Sequence, residues 1–239
     1  MTSQRIQLNR KNQVADGTLA FYFERPADFR FKAGQFISVN LIEPLETDAE
    51  GNTRAFSIAS APFETDLIVA TRMRDTAFKR VLKAMPLGAE VSIAGPFGSF
   101  TLRQDSRPAV LLAGGIGITP FRSMLRQAFR DRMARRLFLF YSNRRPEDAA
   151  FLEELQELDG KVEEFQFIPT MTDMQKSRRP WGGETGRIDP AMLAKYVGDL
   201  NEPMYYAAGP PGLVAAMQTV LQSAHIQEDD VVTEEFPGY

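Results

Sequence analysis

No cysteine occurs among the 239 residues. That excludes a disulfide, a thiol nucleophile, cysteine-bound zinc and a cysteine-held iron–sulfur cluster. Histidine is nearly absent as well. His225 stands alone, which excludes a His-rich metal site and any scheme needing two imidazoles. Any redox chemistry therefore falls to an organic cofactor. No apolar run approaches the ~18 residues of a membrane-spanning helix. Met1 to Arg10 is polar rather than leader-like, so a cytoplasmic chain without a targeting segment is expected. Nor is there an excess of positive charge. With 28 Lys and Arg against 31 Asp and Glu, the net charge of -3 offers nothing to nucleic acid or to an anionic membrane. Internal repeats and low-complexity tracts are missing too. What is present, 44% hydrophobic and 25% charged residues, is the composition of a compact protein with room for two ordinary domains.

Two rhythms divide the chain. From Ile6 to about Leu102, short alternating apolar runs are broken by Gly, Pro, Asn and Asp. Leu19–Phe23, Phe36–Leu41, Phe56–Ala59, Leu67–Thr71 and Glu90–Ile93 read as strands of a small antiparallel barrel or sandwich. One helix interrupts them, roughly Thr76 to Met85, with Phe78, Val81, Leu82 and Met85 on one face. After Pro108 the pattern changes to strands at Ala109–Ala113, Leu137–Tyr141, Phe165–Ile168, Met204–Ala208 and Val231–Glu235. Helices are expected between them near Pro120–Met133, Glu147–Leu158, Pro190–Val197 and Gly212–Ser223. Such alternation implies a five-stranded, doubly wound parallel sheet. The boundary falls at residues 104 and 105.

In open α/β sheets, ligands bind beyond the carboxyl ends of the strands. The first parallel strand runs into Gly114-Gly115-Ile116-Gly117-Ile118-Thr119-Pro120. Glycines permit a tight turn and a close approach to a pyrophosphate, while Thr119 suits a helix cap and Pro120 a first helical position. The helix start then offers free N–H groups to phosphates. Another strand ends in Ala208-Gly209-Pro210-Pro211-Gly212, an opening without bulky side chains. The second strand ends in Ser142-Asn143-Arg144-Arg145, with no acid for a ribose diol. These arginines are either partners for a 2′-phosphate or solvated loop charges.

Four landmarks in fixed order carry a family resemblance: Arg54-Ala55-Phe56-Ser57, Gly95-Pro96-Phe97-Gly98-Ser99-Phe100, Gly114 to Pro120, and Gly209-Pro210-Pro211. Together they resemble the ferredoxin–NADP reductase superfamily over nearly the whole chain. The resemblance implies a six-stranded antiparallel β-barrel for FAD over residues 1–104 and an NAD(P)H-binding α/β domain over residues 105–239. It implies an NAD(P)H-dependent flavoprotein reductase, with hydride passing from nicotinamide to flavin N5. Arg54 would pair with a flavin phosphate, Phe56 would stack on the flavin ring, and Ser57 would hydrogen-bond near N5. Ala55, Arg72, Met73 and Arg74 would line the flavin, and Thr76 would open the helix that cradles its pyrophosphate. Gly114, Gly115, Gly117, Thr119, Ser142, Asn143, Arg144, Gly209, Pro210 and Pro211 would hold the nicotinamide nucleotide. Lys32-Ala33-Gly34-Gln35-Phe36 resembles the strand entry of these barrels.

Read singly, Arg54 is equally a surface ion pair, Phe56 a barrel-core residue and Thr76 a simple cap. Several positions depart from the family pattern. Phe56 replaces a tyrosine, Ala208 stands where a cysteine often lies beside the nicotinamide, and Met73-Arg74-Asp75 replaces a Gly-Gly. Pro169-Thr170-Met171-Thr172 lacks the arginine of NADP-specific members, yet Lys176, Arg178 and Arg179 follow in the same loop, so the choice of nucleotide stays open. A C-terminal aromatic, Tyr239 or Phe236, either covers the flavin or frays. Trp181 reads as a packing anchor and His225 as a surface residue. The arginines at 126, 130, 132, 135 and 136 are either a docking stripe for an acidic partner or a solvated helix face. The acceptor is expected to be separate: a ferredoxin, a flavodoxin or another redox subunit. The alternatives are a non-turnover electron-transfer subunit of a larger complex, or a reductase of free flavin or ferric chelates.

Overall fold

The computed structural model describes residues 3–236. Two compact units form: Met1–Leu102 with Thr119–Ala128, and Arg103–Ile118 with Phe129–Tyr239.

In the first unit lie β1 (Gln4–Ala15), β2 (Thr18–Glu24), β3 (Phe36–Leu41), β4 (Thr53–Ser57), β5 (Asp66–Arg72), α1 (Ala77–Ala84) and β6 (Glu90–Phe97). The strands pair antiparallel in the order β4-β3-β6-β1-β2-β5. β3 shows why this sequence makes a half-buried strand. Ile37, Val39 and Leu41 alternate inward while Phe36, Ser38 and Asn40 remain partly exposed. Past β4 the chain bonds to the opposite sheet edge: Ala59 N–H donates to the Ile68 carbonyl at 2.8 Å, and Ile68 N–H to Ser60 Oγ at 3.0 Å. This joins the two edge strands and curls the sheet into the expected barrel. Phe21, Phe23, Phe56, Phe78, Leu82 and Ile93 fill its core. Each such side chain contributes about 1.5–3 kcal/mol by leaving water. α1 begins where expected. Thr76 is its N-cap, accepting from Lys79 N–H at 3.3 Å.

The second unit holds β7 (Ala109–Gly114), β8 (Leu137–Asn143), α3 (Leu152–Asp159), β9 (Phe165–Met171), β10 (Glu184–Thr185), α4 (Pro190–Val197), β11 (Met204–Gly209), α5 (Pro211–Ser223) and β12 (Val231–Glu235). α2 (Ile118–Arg130) follows β7, and its body, Thr119–Ala128, belongs to the first unit. All strands of this sheet are parallel, ordered β10-β9-β8-β7-β11-β12. β7 and β11 are buried at every position, which accounts for their unbroken apolar runs.

Three details differ from the sequence-based expectation. The sheet has six strands rather than five, because β10 adds two residues beside β9. Two residues are too few to leave a periodic signal. The helix expected at 147–158 is a short turn at Pro146–Asp148 followed by α3 from Leu152, with Phe151 at φ 59° between them. Thr119 is not a cap. The tight turn Gly115–Gly117 runs straight into α2 at Ile118, so Thr119 and Pro120 already lie in its first turn. Among the described residues, no helix is long and apolar enough to cross a membrane, and no cluster of three metal-ligating side chains occurs.

Candidate functional site

In the first unit, the second residue of β4 and the start of α1 form a cradle for an anion. Arg54 leaves β4 with its guanidinium carbon 5.2 Å from the Phe78 ring centroid. Its NH1 donates to the carbonyls of Glu50, Gly51 and Thr53 at 2.8–2.9 Å. NH2 pairs with Glu50 Oε2 at 2.8 Å and Asp48 Oδ1 at 3.4 Å. The other Asp48 oxygen accepts from Ala77 N–H, in the first turn of α1, at 3.0 Å. A carboxylate thus occupies the helix start, where N–H groups lack intrahelical partners and the dipole favours negative charge. Lys79 lies close by at 7% exposure. Burial, with Arg74 and Arg54 adding to it against Glu50, pushes its ammonium down to about 8.

The surrounding motifs lock this cradle to the barrel. Gln35 accepts from Lys32 N–H at 2.7 Å, donates to the Gly98 carbonyl at 3.0 Å, and its own carbonyl accepts from Ile58 N–H at 2.9 Å. Gly34 has φ 100°, and a Cβ there would fall 2.0 Å from the Phe100 carbonyl oxygen. Only glycine fits that approach. On the body of α2, Arg122 is 6% exposed, pairs with Glu64 at 3.1 Å and donates to the Ala59 carbonyl at 2.7 Å. Ser123 donates to the Ser60 carbonyl at 2.6 Å. The segment just beyond Ser57 is therefore pinned from outside, by residues that carry no motif.

The glycines of the second unit have distinct tasks. A Cβ on Gly117 would lie 2.2 Å from the Ala208 carbonyl oxygen and 2.6 Å from Gly209 Cα, so this glycine lets the entry to α2 abut the end of β11. Gly114 serves the packing of Leu213, 2.4 Å from its notional Cβ. Gly115, unlike Gly114 and Gly117 in the same turn, combines a left-handed φ of 51° with open space, leaving its backbone approachable. Tyr141, fully buried on β8, fixes this turn by donating to the Gly115 carbonyl at 3.0 Å. Gly209 has φ 151° and leads into Pro210-Pro211 at the head of α5.

Residues 111–219 match the model of the oxidoreductase NAD-binding domain. A reductase subunit of glycine betaine monooxygenase from Chromohalobacter salexigens is 31% identical over 86% of this chain and 56% of its own length. Reductase component 2 of terephthalate 1,2-dioxygenase from Comamonas sp. is 26% identical over 87% of the chain and 60% of its length. A ferredoxin NADP+ reductase from Neisseria gonorrhoeae, with bound FAD and NADP, superposes with a TM-score of 0.79 at 22% identity, covering 98% of this chain and 99% of that one. The chain shares the fold of that reductase over nearly its whole length. It spans somewhat more than half the length of the curated relatives it matches.

Within this fold, the sequence-derived residues separate into several groups. Arg54, Thr76 and the start of α1 come together as described. Arg72 and Arg74 are exposed on the link from β5 to α1, and Met73 packs against the barrel core with its N–H bonded to the Gly17 carbonyl at 2.7 Å. Ala55 is exposed and Ser57 is 9% exposed. Phe56, by contrast, is 3% exposed with its ring 5.9 Å from that of Phe78, so in this arrangement it is a core residue rather than an open platform. Ala208 is fully buried. At the end of β8, Ser142 is half-buried, Asn143 is buried and Arg144 is exposed. Arg145 is committed to Asp148 through two bonds of 2.7 and 2.9 Å.

The loop cations are mostly engaged as well: Lys176 with Asp173 at 2.8 Å, Arg179 with Glu153 at 3.3 Å and Arg178 near Glu147 at 4.0 Å. Burial raises the Glu147 carboxyl, but its own and Arg178's backbone N–H groups and the Ser177 hydroxyl outweigh this and hold it below the ordinary value. Trp181 donates to the Glu184 carbonyl at 2.8 Å, and His225 is exposed at φ 61°. Phe236 N–H bonds the Gly209 carbonyl at 2.9 Å, whereas Tyr239 lies outside the described residues. Several members of the basic run are engaged locally. Arg135 is 4% exposed on the carbonyls of Arg103 and Asp105, Arg126 pairs with Glu64, and Arg136 lies over Phe138.

Sequence reasoning missed Asp48, Lys79, Arg122 and Tyr141. Only Tyr141, on a buried strand just before the Ser-Asn-Arg end, left a signal that pointed to the site.

Proposed function

We propose that the chain is a flavin-dependent oxidoreductase that passes electrons from NAD(P)H through FAD to a separate acceptor. Residues 1–104 hold the flavin and residues 105–239 hold the nicotinamide nucleotide. The observation that supports this most is the cradle of Arg54 and the α1 N-terminus, which holds a carboxylate with the donors a phosphate would use. A guanidinium fork and free helix N–H groups suit a diphosphate, so the residues fit the cofactor once that carboxylate yields. When bound, the flavin supplies acceptance of two electrons from a nicotinamide and their release singly or in pairs. The protein's part is placement. Arg54 and Ala77 N–H hold phosphate oxygens, and Thr76 keeps the first turn of α1 in register. The Ser57 hydroxyl offers a hydrogen bond to the ring system, and Arg72 and Arg74 line its approach. In the second unit, Gly115 opens backbone to the nucleotide phosphates, Gly209 to Pro211 keep space clear, and exposed Arg144 is the group at the β8 end that would meet a 2′-phosphate. Ala208 carries no exchangeable side-chain proton, so it contributes shape alone.

A protein acceptor is favoured over a ferric chelate, because the relatives are named as reductase parts of a monooxygenase and a dioxygenase. The candidates are a ferredoxin, a flavodoxin or an oxygenase subunit. The second reading, a nucleotide-binding subunit without turnover, draws on Ala208 standing where a thiol would help set hydride geometry. Steady-state oxidation of NADH and NADPH with an artificial electron acceptor, after incubation with FAD, separates the two. Turnover by the isolated chain is expected. Flavin binding without turnover selects the subunit reading, and neither binding nor turnover overturns both.

A further inference from the structure

The connection between β3 and β4 carries Glu46, Asp48 and Glu50 at alternate positions, and all three engage the cradle or its helix. Glu46 binds Arg80 on α1 with contacts of 2.7–3.2 Å, and the hydrogen bonds from Arg80 hold its carboxyl below the ordinary value. Asp48 takes Ala77 N–H and Arg54, and also its own loop's Glu50 N–H at 3.0 Å. Glu50 takes Arg54. No apolar anchor assists them, because Leu45, the one large apolar side chain between residues 45 and 50, is fully exposed. The segment is therefore latched by charge and hydrogen bonds, and a ligand with more negative charge can compete for the same donors.

Building on the flavin reading above, we infer that residues 46–50 form a strap that stands in for the flavin diphosphate, with Asp48 on the phosphate donors, and that loading FAD requires the strap to leave. The single Ala77 N–H cannot serve Asp48 and a phosphate oxygen together, and Arg54 NH2 is already committed to Asp48 and Glu50. A diphosphate carries more charge than one carboxylate and meets the same Arg54, Arg74 and Lys79 cations. Lys79 adds to this competition, since burial and the neighbouring arginines penalise its charge and Glu50 relieves it. A bound diphosphate would supply that relief in place of Glu50.

The test is flavin titration of the full chain, wild type against Asp48→Ala and Glu50→Gln, with riboflavin as the ligand lacking phosphate. The start of α1 keeps its Thr76 cap in both variants. Losing the Glu50 pair to Arg54 should tighten FAD about tenfold, and losing the several contacts of Asp48 at least as much, with riboflavin affinity unchanged. A glutamate-specific protease should cut after Glu46 or Glu50 faster when FAD is present, since the strap is then released. FAD binding by a variant but not by wild type would support the strap most strongly. Unchanged or weaker FAD binding in both variants, with wild type still binding, would show that Asp48 is a fixed part of the barrel and overturn the inference. If no version binds FAD, the flavin reading fails and the strap falls with it.

Discussion

Replacing Gly117 with alanine tests whether the nucleotide-loop glycines serve the ligand or the packing. The new Cβ would sit 2.2 Å from the Ala208 carbonyl oxygen and 2.6 Å from Gly209 Cα. Both obstacles are backbone in buried β11, so no side chain can turn aside. The entry to α2 would have to move by about 1 Å to restore ordinary contact, an overpacking that typically costs about 1–3 kcal/mol. At roughly 2–4 °C per kcal/mol for a chain of this size, Tm should fall by about 2–12 °C. Gly115→Ala should behave differently. It meets nothing within 4 Å but must hold φ 51°, which costs about 1–2 kcal/mol. Its larger effect should be on nucleotide affinity, through loss of the open backbone. Gly212→Ala, with open space and no left-handed φ, is the control and should leave Tm within about 2 °C of wild type. Thermal melts followed by circular dichroism, with NADH and NADPH titrations beside them, read both quantities. A Gly117→Ala protein that melts with wild type, or above Gly115→Ala, would refute the packing assignment.

Lys79 should make stability depend on pH in an unusual window. Its folded-state ammonium is held down to about 8 against an ordinary 10.5, so the unfolded chain binds more protons between those values. The penalty is fully present below pH 8, and stability relative to Lys79→Met should rise from pH 8 toward 10.5, as urea melts of the pair would show. Glu64→Ala should strand the buried Arg122 guanidinium and destabilise the protein by about 2–4 kcal/mol, with Arg122→Met/Glu64→Leu recovering much of the loss; equal melts of wild type and Glu64→Ala would contradict this. Arg144→Ala should weaken NADPH about tenfold or more with little change for NADH, because only NADPH presents a 2′-phosphate. A uniform change for both nucleotides would remove Arg144 from that role.

The barrel, the parallel sheet and the order of the landmarks were legible because each rests on a repeated local signal. Alternation gave β3, unbroken apolar runs gave β7 and β11, and a threonine before an amphipathic turn gave the start of α1. The misreadings have physical causes. Thr119-Pro120 looks like a cap and first helical residue, but a glycine turn that is already helical extends α2 backwards past both. β10 is too short to show a period, and the left-handed Phe151 splits what the apolar spacing reads as one helix. Within the site, Arg54 and Thr76 were visible only through the ordered set of landmarks, since read singly each has an ordinary role. Asp48 was not, since an acid in a loop rich in Glu and Asp reads as solvated charge until the fold brings it to α1. Phe56 was ambiguous from the start, because an aromatic on a barrel strand serves core and ligand alike, and here it faces the core. Of the five arginines between 126 and 136, Arg126 and Arg135 are held by local partners that sequence spacing does not reveal.

The central claim is that Arg54 and the head of α1 hold a flavin whose electrons come from a nicotinamide nucleotide. Visible absorbance of the full chain titrated with FAD, then with NADH or NADPH under anaerobic conditions, tests it most directly, alongside Arg54→Ala. The expected result is one FAD bound per chain and bleaching of its yellow absorbance by at least one nucleotide, with binding at least tenfold weaker in the variant. FAD bound equally well by Arg54→Ala, or a flavin that neither nucleotide bleaches, would contradict it.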